Sequence, residues 1–169
     1  MNRTRQTIPI LLPQLPKMPR LLIFAPCEKV IIGQGDNNVS LIGIIQNVQV
    51  HPKPDGTSKI PPNTLLQSSW NIFSLWQKEA EDDGVVYTQR VVLISRTGKT
   101  LVESITGFTM EKEWHRIITS VPGLPIGEAG THTLKLSLRR VGSSDWNEIS
   151  SFPLTITHPT PTRSSSVPH

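Results

Sequence analysis

The chain has 169 residues, 36% of them apolar and 18% charged, a length that suffices for one domain with its own core. Its single cysteine excludes an intrachain disulfide and any metal site that needs several cysteines. The net charge of +4 comes from the chain ends, because 12 of the 17 basic residues and all 13 acidic residues lie between Leu21 and His158. The body of the chain therefore carries a charge of −1, which disfavours nucleic acid as a partner.

Both ends of the chain are predicted to be disordered. Residues 1–20 form a basic, Pro-rich leader and residues 159–169 a polar tail, so one β-sandwich domain is expected over residues 21–158. The apolar run Ile8–Leu12 contains Pro9 and is shorter than the roughly 7–15 residues of an export signal. No stretch approaches the roughly 20 apolar residues of a membrane span, so we expect a cytoplasmic protein without a membrane partner.

About eight strands are predicted along the body, separated by turn residues. In chain order they are Leu21–Ala25 with a continuation at Lys29–Ile32, Val39–Val50, Leu66–Trp76, Val85–Ile94, Thr100–Ile105, Trp114–Val121, Thr133–Arg139 and Glu148–Thr157. Gly98 lies between the fourth and fifth strands and can supply the positive φ of a tight hairpin. Gly43 interrupts the second strand and predicts a bulge or a close backbone approach.

The clearest single strand is Thr133–Arg139, in which apolar and polar residues alternate without a break. This period of two is typical of a strand with one face in a core and the other in water. Together with the spacing of the other strands, it predicts an all-β protein: a single antiparallel β-sandwich of immunoglobulin-like shape.

Three of the four tryptophans are predicted to belong to the core. Trp70, Ile72 and Trp76 lie an even number of residues apart and therefore share one face of their strand. This face should meet the leucines of Thr133–Arg139 across the sandwich. Trp114 has the same spacing from Ile118 and is assigned to the core as well. Trp146 follows a turn and is the tryptophan expected to be exposed.

Residues that could carry catalytic or metal chemistry are few and scattered. Cys27 has no histidine near it in sequence and reads as a small buried hydrophobe rather than a nucleophile. Glu111, Glu113 and His115 are spaced two residues apart and are considered as metal ligands, although a metal site normally needs three or four convergent ligands. The acidic stretch between the third and fourth strands is predicted to be a charged hairpin tip; it consists of Glu79, Glu81, Asp82 and Asp83. No residue is therefore assigned as catalytic, cofactor-binding or metal-ligating, and no cofactor is expected.

Three segments resemble, in this order, a family of small bacterial all-β domains that is known as a domain of unknown function. The segments are Cys27–Val30, Ser40–Ile45 and Gly127–Leu134, and the resemblance spans Leu21–Thr157. It implies a stand-alone β-sandwich and supplies no catalytic residues.

The expected function is that of a non-enzymatic binding or assembly module that docks a protein partner through sheet edges or loops, because exposed edges need partners or protection. The alternative is a carbohydrate-binding module built around Trp146 and a loop aromatic such as Tyr87. A third possibility is a hydrolase that uses Cys27 or His115. The sequence leaves the oligomeric state open.

Overall fold

A computed structural model describes residues 18–51 and 60–158. Nine strands and one 3-10 turn, Ala80–Asp82, are formed in this part of the chain. The strands are β1 Arg20–Ile32, β2 Val39–Ile44, β3 Asn47–Gln49, β4 Leu65–Gln77, β5 Val86–Ile94, β6 Thr100–Thr109, β7 Trp114–Pro125, β8 Gly130–Arg140 and β9 Asn147–Thr157. The predicted disordered ends, residues 1–17 and 159–169, lie outside the described residues, whereas Met18 packs against the core.

The strands form two sheets, which confirms the all-β sandwich. Sheet A has the order β2-β1-β4-β7, and sheet B has the order β3-β9-β8-β5-β6. All strand pairs are antiparallel except β3 and β9, which run parallel. The expectation of a purely antiparallel sandwich was therefore wrong for this one pair.

The ninth strand arises because Val39–Val50, predicted as one strand, is divided between the two sheets. The Ile45 N–H donates to the Pro26 carbonyl in sheet A. The carbonyl of the following residue, Gln46, accepts from the Thr155 N–H in sheet B. The chain therefore crosses between the sheets at residues 45–46.

The core lies between the sheets and contains the residues that alternation predicts. From sheet A, Trp70, Ile72 and Trp76 are at most 1% exposed. They belong to one cluster with the buried leucines of β8, which are Leu134, Leu136 and Leu138. The contact predicted between these two faces across the sandwich is confirmed.

The two glycines assigned to special conformations have them. Gly98 has φ +87° in the β5–β6 hairpin, which the Ser95 N–H closes by donating to the Lys99 carbonyl at 2.8 Å. Gly43 has φ +63°, and a Cβ there would lie 2.6 Å from the Glu28 side chain, which confirms the predicted close approach.

Two buried polar clusters join the elements of the core. The Gln89 Oε1 accepts hydrogen bonds from the Ser74 hydroxyl at 2.8 Å and the Trp76 Nε1–H at 2.9 Å. Asp82, which is fully buried, accepts from the Tyr87 hydroxyl at 2.6 Å and the Glu79 backbone N–H at 2.8 Å. Asp82 was expected in a charged hairpin tip and instead fixes the β4–β5 connection to the core.

Candidate docking edge

Four strands lie at the edges of the two sheets: β2 and β7 in sheet A, β3 and β6 in sheet B. An edge strand presents unpaired backbone N–H and C=O groups that can pair with another chain. β3 has only three residues, and β2 has six with the positive-φ Gly43 among them. The long edges are β6 with ten residues and β7 with 12.

The N-terminal two thirds of β7, residues 114–121, combine a free edge with exposed apolar side chains. Among the described strands it pairs only with β4. Trp114 is 46% exposed and Ile118 is 41% exposed, and both point away from the core. Proline, which would block strand addition, enters β7 only from Pro122 onward. We call the free side of residues 114–121 the β7 edge.

On the outer face of sheet A, the row that runs inward from the β7 edge is apolar and becomes buried toward the centre of the sheet. Directly paired residues share a face of the sheet, and Ala25, Phe73 and Ile118 are paired in one row across β1, β4 and β7. Phe73 is fully buried and Ala25 nearly so. Ile23, in the neighbouring row, is 40% exposed. A strand added at the β7 edge would therefore meet the exposed Trp114 and Ile118, whereas Phe73 and Ala25 are already buried.

The inner side of β7 anchors the strand in the core. Ile117 and Val121 belong to the core cluster, and the His115 ring stacks on Phe108 of sheet B with centroids 4.7 Å apart. Burial lowers the pKa of His115 from 6.5, and the nearby Glu111 carboxylate opposes this change. The β7 edge is thus a fixed template.

The lowered pKa of His115 predicts a pH dependence of stability. Below pH 6.5 the unfolded chain binds a proton at His115 more readily than the folded chain does, so stability falls as the pH falls through this value. We expect His115→Phe, which keeps a ring against Phe108, to lose less stability than the wild type between pH 7.5 and pH 5.5. Urea unfolding at both pH values measures this difference. Glu111→Gln should steepen the loss, and an unchanged slope in His115→Phe would contradict the assignment.

The residues considered for catalysis or metal binding do not form a site. Cys27 has no exposed surface, and burial raises the pKa of its thiol, so the thiol is protonated at neutral pH. Glu111, Glu113 and His115 do not form a possible metal-binding group, and within the described ranges no three His, Cys, Asp or Glu side chains do. These ranges also contain no helix with the length and hydropathy needed to cross a bilayer.

Three aromatic assignments from the sequence need correction. Trp114, assigned to the core, lies on the outer face. Side chains of β7 alternate between the two faces, and Ile117 and Val121 occupy the face toward the core. Tyr87 is not a loop aromatic: it lies in β5, is 2% exposed and donates to Asp82. Trp146 is half-buried, with the Arg139 guanidinium 4.5 Å from its ring centroid.

Sequence reasoning missed the β7 edge and the Arg139–Trp146 contact. The first depends on which strands become neighbours, and the second joins residues of β8 and the following loop. The alternation of Trp114, Arg116 and Ile118 with the residues between them indicates a strand with two different faces, but it does not show which face is buried or that the strand lies at an edge.

No family model matches the chain, and no curated protein matches it. Among solved structures, the chain is similar to a conjugative transposon lipoprotein from Bacteroides eggerthii. The two are 18% identical, the match covers 64% of this chain and 94% of that chain, and the TM-score is 0.29. A likeness at this TM-score adds nothing to the assignment of fold or function.

Proposed function

We propose that the protein is a non-enzymatic docking module that binds an extended segment of a partner protein at the β7 edge. The observation that carries this proposal is that β7 pairs with β4 alone among the described strands, in a strand whose Trp114 and Ile118 are exposed. Addition of a strand to such an edge gives affinity through main-chain hydrogen bonds and specificity through alternate side chains.

We further infer that the sandwich is immunoglobulin-like, and this explains why the β7 edge is free. From β4 onward, the strands correspond in order to B, C, C′, E, F and G of that fold, since β9-β8-β5-β6 is a G-F-C-C′ sheet and β4 pairs with β7 as B pairs with E. In the constant-type domain, strand E is covered by strand D. The described strands contain no such neighbour for β7.

The added strand would have a defined side-chain pattern. Its alternate residues would lie on the outer face of sheet A, beside Trp114 and Ile118, and should be apolar or aromatic. Arg116, between these two on the same face, favours an acidic or neutral residue opposite it.

The test uses peptides of about 12 residues, long enough to span the eight residues of the β7 edge. Peptides selected from a displayed random library against the full chain are measured by fluorescence anisotropy and mapped by amide hydrogen exchange. We expect them to slow exchange in residues 114–121. We expect Ile118→Lys, which replaces an apolar contact with the added strand by a charge, to weaken binding about tenfold, as expected for losing part of the burial of one aliphatic side chain.

Ile105→Lys is the matched control, because Ile105 is an isoleucine 58% exposed on β6, the long edge strand of sheet B. This variant should bind the selected peptides as the wild type does. Peptides that protect β6 or a loop instead of residues 114–121, or a library that yields no binder, would refute the proposed site.

A further inference from the structure

In the part of the chain that the structure describes, the strands of sheet B carry three cations on their outer face, and two of these cations are paired with carboxylates of the same face. The Arg90 Nε donates to Glu103 at 2.7 Å, and the Lys135 Nζ donates to Glu148 at 2.8 Å. The third cation is Arg139, which shares the face because it is paired with Thr88 as Arg90 is paired with Ser137. Within the described residues, Arg139 has no carboxylate partner.

The guanidinium of Arg139 is instead held by an aromatic ring. Its Cζ lies 4.5 Å from the centroid of Trp146, and the Cζ of Arg90 lies 5.9 Å from the same centroid. Stacking on a ring face restricts the guanidinium and leaves the N–H groups at its edge available as donors. A guanidinium held in one orientation favours a planar, bidentate acceptor such as a carboxylate.

The surface beside Arg139 has room for such a ligand. In the row of directly paired residues, Arg139 is followed by Thr88 on β5 and Gly107 on β6. A Cβ at Gly107 would meet nothing closer than the Tyr87 carbonyl oxygen at 3.9 Å. The row therefore forms a shallow floor between Arg139 and the β6 edge, and neither Thr88 nor Gly107 brings a charge to it.

We propose that Arg139 and Trp146 form a binding site for a side-chain carboxylate of an acidic peptide segment. The two matched cations on this face show that its geometry suits carboxylate pairing, and Arg139 supplies the unmatched positive charge. Trp146 positions the guanidinium and contacts the aliphatic part of the acidic side chain. This site lies on the sheet opposite to the β7 edge, so it does not depend on the proposed function.

The test is a titration of the full chain with a hexaglutamate peptide. Binding is monitored by the NMR signals of the Arg139 Nε–H and the Trp146 indole N–H. We expect both signals to shift in a saturable manner at low salt, and a hexaglutamine peptide to leave them unchanged. Arg139→Gln should weaken binding about tenfold, the loss expected for one charge-assisted hydrogen-bonding partner. Arg139→Lys should rescue only part of this loss, because it keeps the charge and removes the planar fork.

Arg140→Gln is the matched control, since it removes the same charge from the next residue of β8, whose side chain belongs to the other side of the strand. Equal weakening by Arg139→Gln and Arg140→Gln would show that only net charge matters, and would overturn the site. Inorganic phosphate that shifts both signals at the same concentration as the peptide would overturn its assignment to carboxylates, as would the absence of any shift.

Discussion

Replacing Trp76 with alanine is expected to lower the free energy of unfolding by about 3–5 kcal/mol, the range for deleting a large buried aromatic side chain. The Trp76 ring has no exposed surface and stacks on Phe108 of the facing sheet, with centroids 6.1 Å apart. Its removal opens a cavity between the sheets and also leaves the Gln89 Oε1 with one donor fewer. Urea unfolding followed by far-UV circular dichroism measures the loss, provided that the m-value is unchanged.

Trp114→Ala is the matched control for Trp76→Ala. The same side chain is removed from the neighbouring strand of sheet A, but Trp114 is 46% exposed on the outer face. We expect a cost of about 1 kcal/mol or less, as for a surface substitution. Equal losses in the two variants would show that the outer face of sheet A is as well packed as the core, and would remove the basis for a docking surface there.

The contrast between Trp76 and Trp114 shows how far the sequence determines the core. Alternation places Trp70, Ile72 and Trp76 correctly, because a period of two within one strand is a local property. The same period in β7 admits two choices of buried face, one with Trp114 and Ile118 and one with Ile117 and Val121. Only the pairing of β7 with β4 decides between them, since Ile118 is opposite Phe73 on the outer face.

The strand count and the candidate site depend on information that no single segment contains. The crossing at residues 45–46 is fixed by partners at Pro26 and Thr155, both distant in sequence. The β7 edge is free because of the order in which strands join sheet A, and turn chemistry does not specify that order. The positive φ of Gly98 was predictable, in contrast, because a tight turn demands it of one residue.

The sandwich is stabilised by two kinds of contact that a docking module needs in combination. The apolar cluster joins the sheets, and the buried polar groups join β4 and the connection that follows it to β5. A strand template must keep its register when a partner binds, because a shift by one residue would turn every side chain to the other face. The anchoring of β7 through Ile117, Val121 and the His115 ring meets this requirement.

Replacing Asp82 with alanine is the second substitution for which a large effect is expected, a loss of about 3 kcal/mol. Asp82 is fully buried and accepts from the Tyr87 hydroxyl and the Glu79 N–H, so its removal leaves two donors without a partner. Burial, and after it the Asp82 hydrogen bond, raises the pKa of the Tyr87 hydroxyl and keeps it protonated. The hydroxyl therefore remains a buried donor, and leaving it without an acceptor is costly. Asp82→Asn should cost less, since its amide oxygen can still accept one of the two bonds.

The neighbouring Asp83 provides the control for Asp82, because the two residues differ in burial and not in chemistry. Asp83 is 76% exposed and pairs with Lys78 at 2.8 Å, so Asp83→Ala should change stability far less than Asp82→Ala. A double-mutant cycle with Tyr87→Phe isolates the hydrogen bond: without the hydroxyl, Asp82→Ala should cost clearly less than in the wild type. Additive losses in this cycle would mean that Asp82 acts through the Glu79 N–H alone, and that Tyr87 does not tie the β4–β5 connection to sheet B.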